Sequence, residues 1–138
     1  MYPKELVAPM AKDLTDAGFQ SLLTADDVDT VLGNNNEGTI LVVVNSVCGC
    51  AAANARPGVK MAVQNEVKPD KIVTVFAGVD REAVDKARSY MMPYPPSSPS
   101  IALFKEGKLV HFLERHHIEG RSANTIADNL KMAFDRFC

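Results

Sequence analysis

Cysteine is scarce in this chain, with three residues in 138. A secreted disulfide scaffold carries a denser and even-numbered set, so structural bridging does not account for them. No apolar run approaches the roughly 20 residues that span a bilayer. The first residues, Met1-Tyr2-Pro3-Lys4-Glu5-Leu6, lack the charged-then-apolar layout of a secretory leader. A cytoplasmic protein with no membrane partner is the expectation. Basic charge is not in excess either: 15 Lys and Arg against 17 Asp and Glu give a formal net charge of −2. With a pI near 5.9, this argues against a nucleic-acid partner, whose binding face is normally basic. A glycine-rich phosphate loop, a Ser-His-Asp pattern and a carboxylate pair set apart from a solvated face are also missing, and no bound cofactor is expected. What remains is an ordinary globular composition, 46% hydrophobic and 23% charged, long enough for one domain over 1–138 to bury its own core.

Two of the three cysteines stand one residue apart, Cys48-Gly49-Cys50, directly after the apolar run Ile40-Leu41-Val42-Val43-Val44 and before the helix-forming Ala51-Ala52-Ala53. A strand that ends in a thiol pair and turns into a helix sets a sulfur at a helix N-terminus. There the unpaired N–H groups and the helix dipole favour the thiolate over the thiol. The thiolate is the species that attacks disulfides, so the pattern points to thiol–disulfide chemistry with Cys48 attacking and Cys50 beside it.

Around this pair the chain reads as alternating elements. The first forty residues read as helical, with Leu6, Val7, Met10 and Leu14 at helical spacing, Pro9 starting or kinking that helix and Gly18 ending it. Thr24 is placed as the N-cap of a second helix, with Asp26 and Asp27 in its first turn. A turn follows over 33–38. Thr39–Asn45 lacks alternation, as a strand covered on both faces does. A helix over 48–64, interrupted at Pro57-Gly58, precedes a second buried strand over Lys71–Ala77 and a helix capped by Asp80. A loop rich in proline and serine (93–99) leads into a hairpin, Ser100–Phe104 and Leu109–Leu113 around Glu106-Gly107-Lys108, and a last helix spans Ser122–Phe137. His111 is expected to face solvent on the hairpin, and His116-His117 to lie in the loop after it. A βαβ unit joined through a helix to a ββα unit gives an α/β protein. Its expected architecture is a four-stranded mixed β-sheet flanked by helices, with an N-terminal helical extension. That is the thioredoxin-like arrangement.

The stretch from Leu41 to Ala52, with Ala55-Arg56-Pro57, Thr74–Gly78, Pro96–Ser100, Val110–Phe112, His116, Ile118–Gly120 and Cys138, resembles the bacilliredoxins. These are small thioredoxin-like proteins whose motif is Cys-Gly-Cys. The resemblance implies a thiol–disulfide oxidoreductase that acts on client proteins carrying mixed disulfides with a low-molecular-weight thiol, bacillithiol, and that has disulfide isomerase activity. It implies Cys48 as nucleophile and Cys50 as resolving thiol. It also implies a cis Pro99 facing the thiols, with the Ser98 backbone pairing with an extended substrate and Gly49 leaving room for it. A bridge across one intervening residue closes a strained ring, and strain raises a reduction potential, which favours an oxidant or isomerase over a strong reductant.

Three further residues are candidates around this core. Arg56 is suited to a carboxylate on an acidic thiol, or to covering its own helix. His116 would influence the thiol if the hairpin end reaches it. Cys138 would serve as an additional resolving or intermolecular thiol, or as a frayed terminus. Two other classes use the same cysteines. In one, Cys48 and Cys50 with His116 or His117 bind zinc or copper, although Cys-x-Cys is not the usual zinc spacing. In the other, the thiols sense redox state in an interaction protein that turns over no substrate.

Overall fold

The computed structural model describes residues 2–33 and 37–138. The turn expected over 33–38 therefore falls in part, at 34–36, outside the described residues. The chain runs α1 (Lys4–Thr15), β1 (Gln20–Ser21), α2 (Ala25–Leu32), β2 (Thr39–Asn45), a turn of π-helix (Ala51–Ala55) continuing into α3 (Arg56–Ala62), β3 (Lys71–Phe76), α4 (Arg81–Ser89), β4 (Ser100–Lys105), β5 (Lys108–Leu113), α5 (Arg115–Ile118) and α6 (Ala123–Phe137).

One sheet of five strands, in the order β1-β3-β2-β4-β5, forms the middle layer. It is mixed: β2 pairs parallel with β3 and antiparallel with β4, and β4 pairs antiparallel with β5. The fold class is the expected one, with one strand more than the four expected. β1 adds two residues parallel to β3 in a stretch read as helical. All seven residues of β2 are buried, because alternate side chains enter different cores. Leu41 and Val43 join Leu14, Val59, Ile126 and Phe134 on the face covered by α1, α3 and α6. Ile40, Val42 and Val44 join Val28, Val75, Val84 and Phe104 on the face covered by α2 and α4.

Local chemistry sets the helix ends. Thr24 and Asp27 form a capping box, Asp27 N–H to Thr24 Oγ1 at 3.1 Å and Thr24 N–H to Asp27 Oδ2 at 3.2 Å. Asp80 stands at the N-cap of α4 without a side-chain capping bond; its main-chain carbonyl accepts from Val84 N–H at 2.9 Å instead. Pro9 lies inside α1, which starts at Lys4 and ends at Thr15, before Gly18. The expected break at Pro57-Gly58 is instead a widening just before it. Pro57 has no N–H for the Ala53 carbonyl and its ring crowds that carbonyl. The preceding turn opens to the π form, with Arg56 N–H reaching Ala51 O. Gly58 then lets α3 press on α6, since a Cβ there would lie 2.7 Å from Ile126 Cγ2.

Candidate active site

β2 and β3 end side by side, and β4 begins beside the end of β2, where Val44 opposes Ser100. Beyond these ends the chain leaves the sheet in three directions, opening a groove of about 380 Å³ whose lining includes Ser46, Cys48, Ala77, Gly78, Ser98 and Arg115. The strand order places it: the carboxyl ends of parallel strands are where an α/β sheet presents its ligands.

Cys48 stands where the strand exit becomes a helix. Its carbonyl accepts from Ala51 N–H at 2.9 Å and Ala52 N–H at 3.2 Å, so it occupies the N-cap position. Its sulfur accepts the Cys50 N–H at 3.4 Å, as a capping side-chain oxygen would. Hydrogen bonding from the Cys50 thiol, with the Cys50 and Ala51 N–H groups and the charge of Arg115, holds the Cys48 thiol below its ordinary value of 9.0 against the opposing effect of burial. Cys50 goes the other way. Burial, then its hydrogen bond to Cys48 and the negative charge there, push it up to about 11. Both are free thiols. The pair is thus divided into one thiol that ionises more readily than an ordinary cysteine and one that holds its proton more tightly.

A polar network seats the Cys48 loop. Ser46 Oγ accepts Cys48 N–H at 3.2 Å, and Asn45 Oδ1 accepts Ser46 N–H at 2.9 Å. Arg56, only 5% exposed, is not among the residues lining the groove. Its Nη1 donates to Asn45 Oδ1 at 2.9 Å and to Ser46 O at 2.8 Å, and its Nε faces Asp13 of α1 at 3.5 Å. A buried guanidinium must find partners, and this one finds them below the site, so it does not offer a charge to an acidic thiol. Asn45 Nδ2 reaches Met10 O at 3.1 Å, which ties the N-terminal helix into the same foundation.

The Ser98–Pro99 bond is cis; Pro99 is buried, and Ser98 lines the groove. Gly49 is exposed, and a Cβ there would meet nothing within 4 Å. On the opposite wall the Tyr2 ring lies over Gly78, so close that a Cβ at 78 would sit 2.6 Å from Tyr2 Cε2.

The charge missing from the sequence reading is Arg115. Ile101 opposes Leu113 in the hairpin, and that register carries residue 115 alongside residues 98–99. Arg115 N–H meets Ser97 Oγ at 3.3 Å, Nη1 donates to Ser98 O at 3.3 Å, and Nε pairs with Glu119. His116-His117 lie in the short helix α5 rather than in a loop. The His116 side chain is 69% exposed, 3.9 Å from Glu114. His111 bonds Asn129 of α6 at 2.7 Å instead of facing solvent alone. Among the described residues, the histidines, cysteines and carboxylates grouped tightly enough to ligate a metal are Glu114, His116 and His117, and neither thiol is with them. Cys138 is at the far end of the molecule: Thr39, Asp70 and Lys105 surround its thiol, at the start of β2. The seven residues of that strand put about 20 Å between this thiol and the Cys48 end.

Residues 2–138 match the family described as Disulphide isomerase. A protein of Cytophaga hutchinsonii named bacilliredoxin is 58% identical over 135 residues, covering 98% of each chain. A bacilliredoxin of Staphylococcus epidermidis is 57% identical over 139 residues, covering 99% of this chain and 95% of its own. The chain belongs to the bacilliredoxin family. Membership of that family makes the chain a thiol–disulfide redox protein, and its fold is that of the thioredoxins. The thioredoxin of Fasciola hepatica superposes with a TM-score of 0.59 at 21% identity, over 87% of this chain and 100% of its own. Mitochondrial thioredoxin 3 of Saccharomyces cerevisiae gives 0.57 at 14%, over 86% and 95%. No helix among the described residues is long and apolar enough to cross a membrane.

Proposed function

We propose that this chain, as a single domain in the bacterial cytoplasm, removes low-molecular-weight thiols from mixed disulfides on client proteins, bacillithiol being the thiol its family name suggests. The Cys48 thiolate attacks the sulfur of the small thiol. The protein–small-thiol S–S bond breaks, a Cys48–small-thiol disulfide forms, and the client leaves as a thiolate that takes a proton from water. Cys50 then loses its proton and displaces the small thiol, closing a Cys48–Cys50 disulfide. No net oxidation occurs in the first step, and the second leaves the dithiol oxidised for an external reductant to restore. The Ser98 backbone before Pro99 and the open face at Gly49 receive the client's extended segment.

The observation that carries this reading is the place of Cys48 at the helix N-terminus, where its sulfur accepts the Cys50 N–H at 3.4 Å; the Cys48 thiol is held below its ordinary value and the Cys50 thiol above it. This assigns attack to Cys48; in the adduct the charge on Cys48 is gone, but burial still opposes ionisation of Cys50 and slows resolution. A persistent Cys48 adduct gives a client's own thiols time to compete, which favours disulfide isomerisation alongside release.

The test is release of the free thiol from a bacillithiolated client protein. Wild type and Cys50→Ser are expected to release it in the first turnover at similar rates, and Cys48→Ser not at all. Equal loss in both variants overturns the assignment of roles. Release once per molecule, even with reductant added, would favour a sensing protein over a catalyst.

A further inference from the structure

The Cys48 groove carries one full positive charge. Apart from Arg115 its lining is apolar, hydroxyl or thiol, with Tyr2, Val47 and Ala77 completing the walls. A guanidinium has five N–H donors. Arg115 commits one to Glu119 and one to Ser98 O, which fixes its plane and leaves three for something else. In the free protein its charge is balanced in part by the thiols, whose ionisation it favours. That balance ends when Cys48 forms a mixed disulfide, because the sulfur is then neutral. The guanidinium is left at the mouth of the groove with open donors beside the newly attached group.

We propose that Arg115 is the anion-binding residue of this groove: its open donors read a carboxylate on the small-thiol half of the mixed disulfide, while Glu119 and Ser98 O hold its plane. The inference rests on the exchange reading above and names the chemistry of the thiol that reading accepts. A planar, bidentate donor suits a carboxylate, and a volume of about 380 Å³ suits a small molecule. Glu119, the residue after the short helix α5, keeps its hold on Nε, and its negative charge opposes an incoming carboxylate on the same guanidinium.

The experiment uses the full chain carrying Cys50→Ala and follows the Cys48 adduct by mass. The probes are three small symmetric disulfides: 3,3′-dithiodipropionic acid (anionic), 2-hydroxyethyl disulfide (neutral) and cystamine (cationic). In each, the Cys48 thiolate attacks one sulfur and the other half leaves as a thiolate. Rates are corrected for ionisation with each variant's own pH profile, and for intrinsic reactivity with a free small thiol. The anionic probe is expected to outpace the neutral one by about tenfold. Arg115→Gln should abolish that preference, Arg115→Lys should keep part of it, and Glu119→Gln should enlarge it. Equal slowing of all three probes in Arg115→Gln overturns the proposal, because Arg115 would then act on the thiol alone. A peptide mixed disulfide with an uncharged small thiol and an acidic residue beside the cysteine should show no dependence on Arg115; dependence there would overturn assignment of the carboxylate to the small thiol. Absence of any Cys48 adduct with every probe would instead refute the exchange reading itself.

Discussion

The sulfur of Cys48 accepts the backbone N–H of Cys50 at 3.4 Å and is also hydrogen-bonded by the Cys50 thiol. A two-residue step thus makes one cysteine the solvating group of the other. Donation from Cys50 stabilises negative charge on Cys48, and that same charge discourages Cys50 from losing its proton. That hydrogen bond, together with the burial of Cys50, is the physical source of the division of labour.

This predicts a pH profile for each thiol. Thiols alkylate as thiolates, so the rate follows the ionised fraction. Cys48 should reach half its plateau below pH 9, the ordinary cysteine value, and Cys50 only near pH 11. Cys50→Ala removes the largest stabilising influence and should move the Cys48 profile upward. Iodoacetamide labelling with peptide-resolved mass measures both; a Cys48 profile unchanged by Cys50→Ala contradicts the pairing.

Arg56 predicts a loss of stability. Its removal strands Ser46 O, leaves Asn45 Oδ1 with the Ser46 N–H alone, and leaves Asp13 with Lys60, 2.6 Å away. Arg56→Met should cost about 2–4 kcal/mol in urea unfolding. Lys60→Met, which breaks a half-exposed pair, should cost under about 1 kcal/mol. Similar small losses for both would show that the buried network does not hold the Cys48 loop.

Cys138 predicts the absence of an effect. With Thr39 beside it and the length of β2 between it and Cys48, it cannot resolve an adduct in the same molecule. Cys138→Ser should leave the rate of small-thiol release unchanged. A slower resolving step in that variant would require a contact between copies of the chain.

Long periodic elements were legible in the sequence because burial writes itself into composition. The unbroken apolar run of β2 announced a strand covered on both sides, and the stripe Ile126, Leu130, Phe134 announced α6. The two-residue β1 and four-residue α5 are too short to carry a period. The cysteine pair was legible because its chemistry is local, whereas Arg56 and Arg115 look alike in sequence. Only the fold decides that Arg56 turns under the loop toward Asn45 and Asp13, and that hairpin register brings Arg115 to Ser98. The signal for Arg115 was present: once β4 and β5 pair as a hairpin with Ile101 opposite Leu113, the second residue past β5 lies beside the residues just before β4.

The most direct test is a competition within one molecule. Reduced Cys50→Ser protein, whose hydroxyl keeps a donor beside Cys48, is exposed briefly to bacillithiol disulfide, and peptide mapping locates the adduct. One adduct on Cys48, formed much faster than on Cys138, is the expected result. Equal labelling of the two, or labelling of Cys138 first, would contradict a thiolate stabilised at the helix N-terminus as the attacking group.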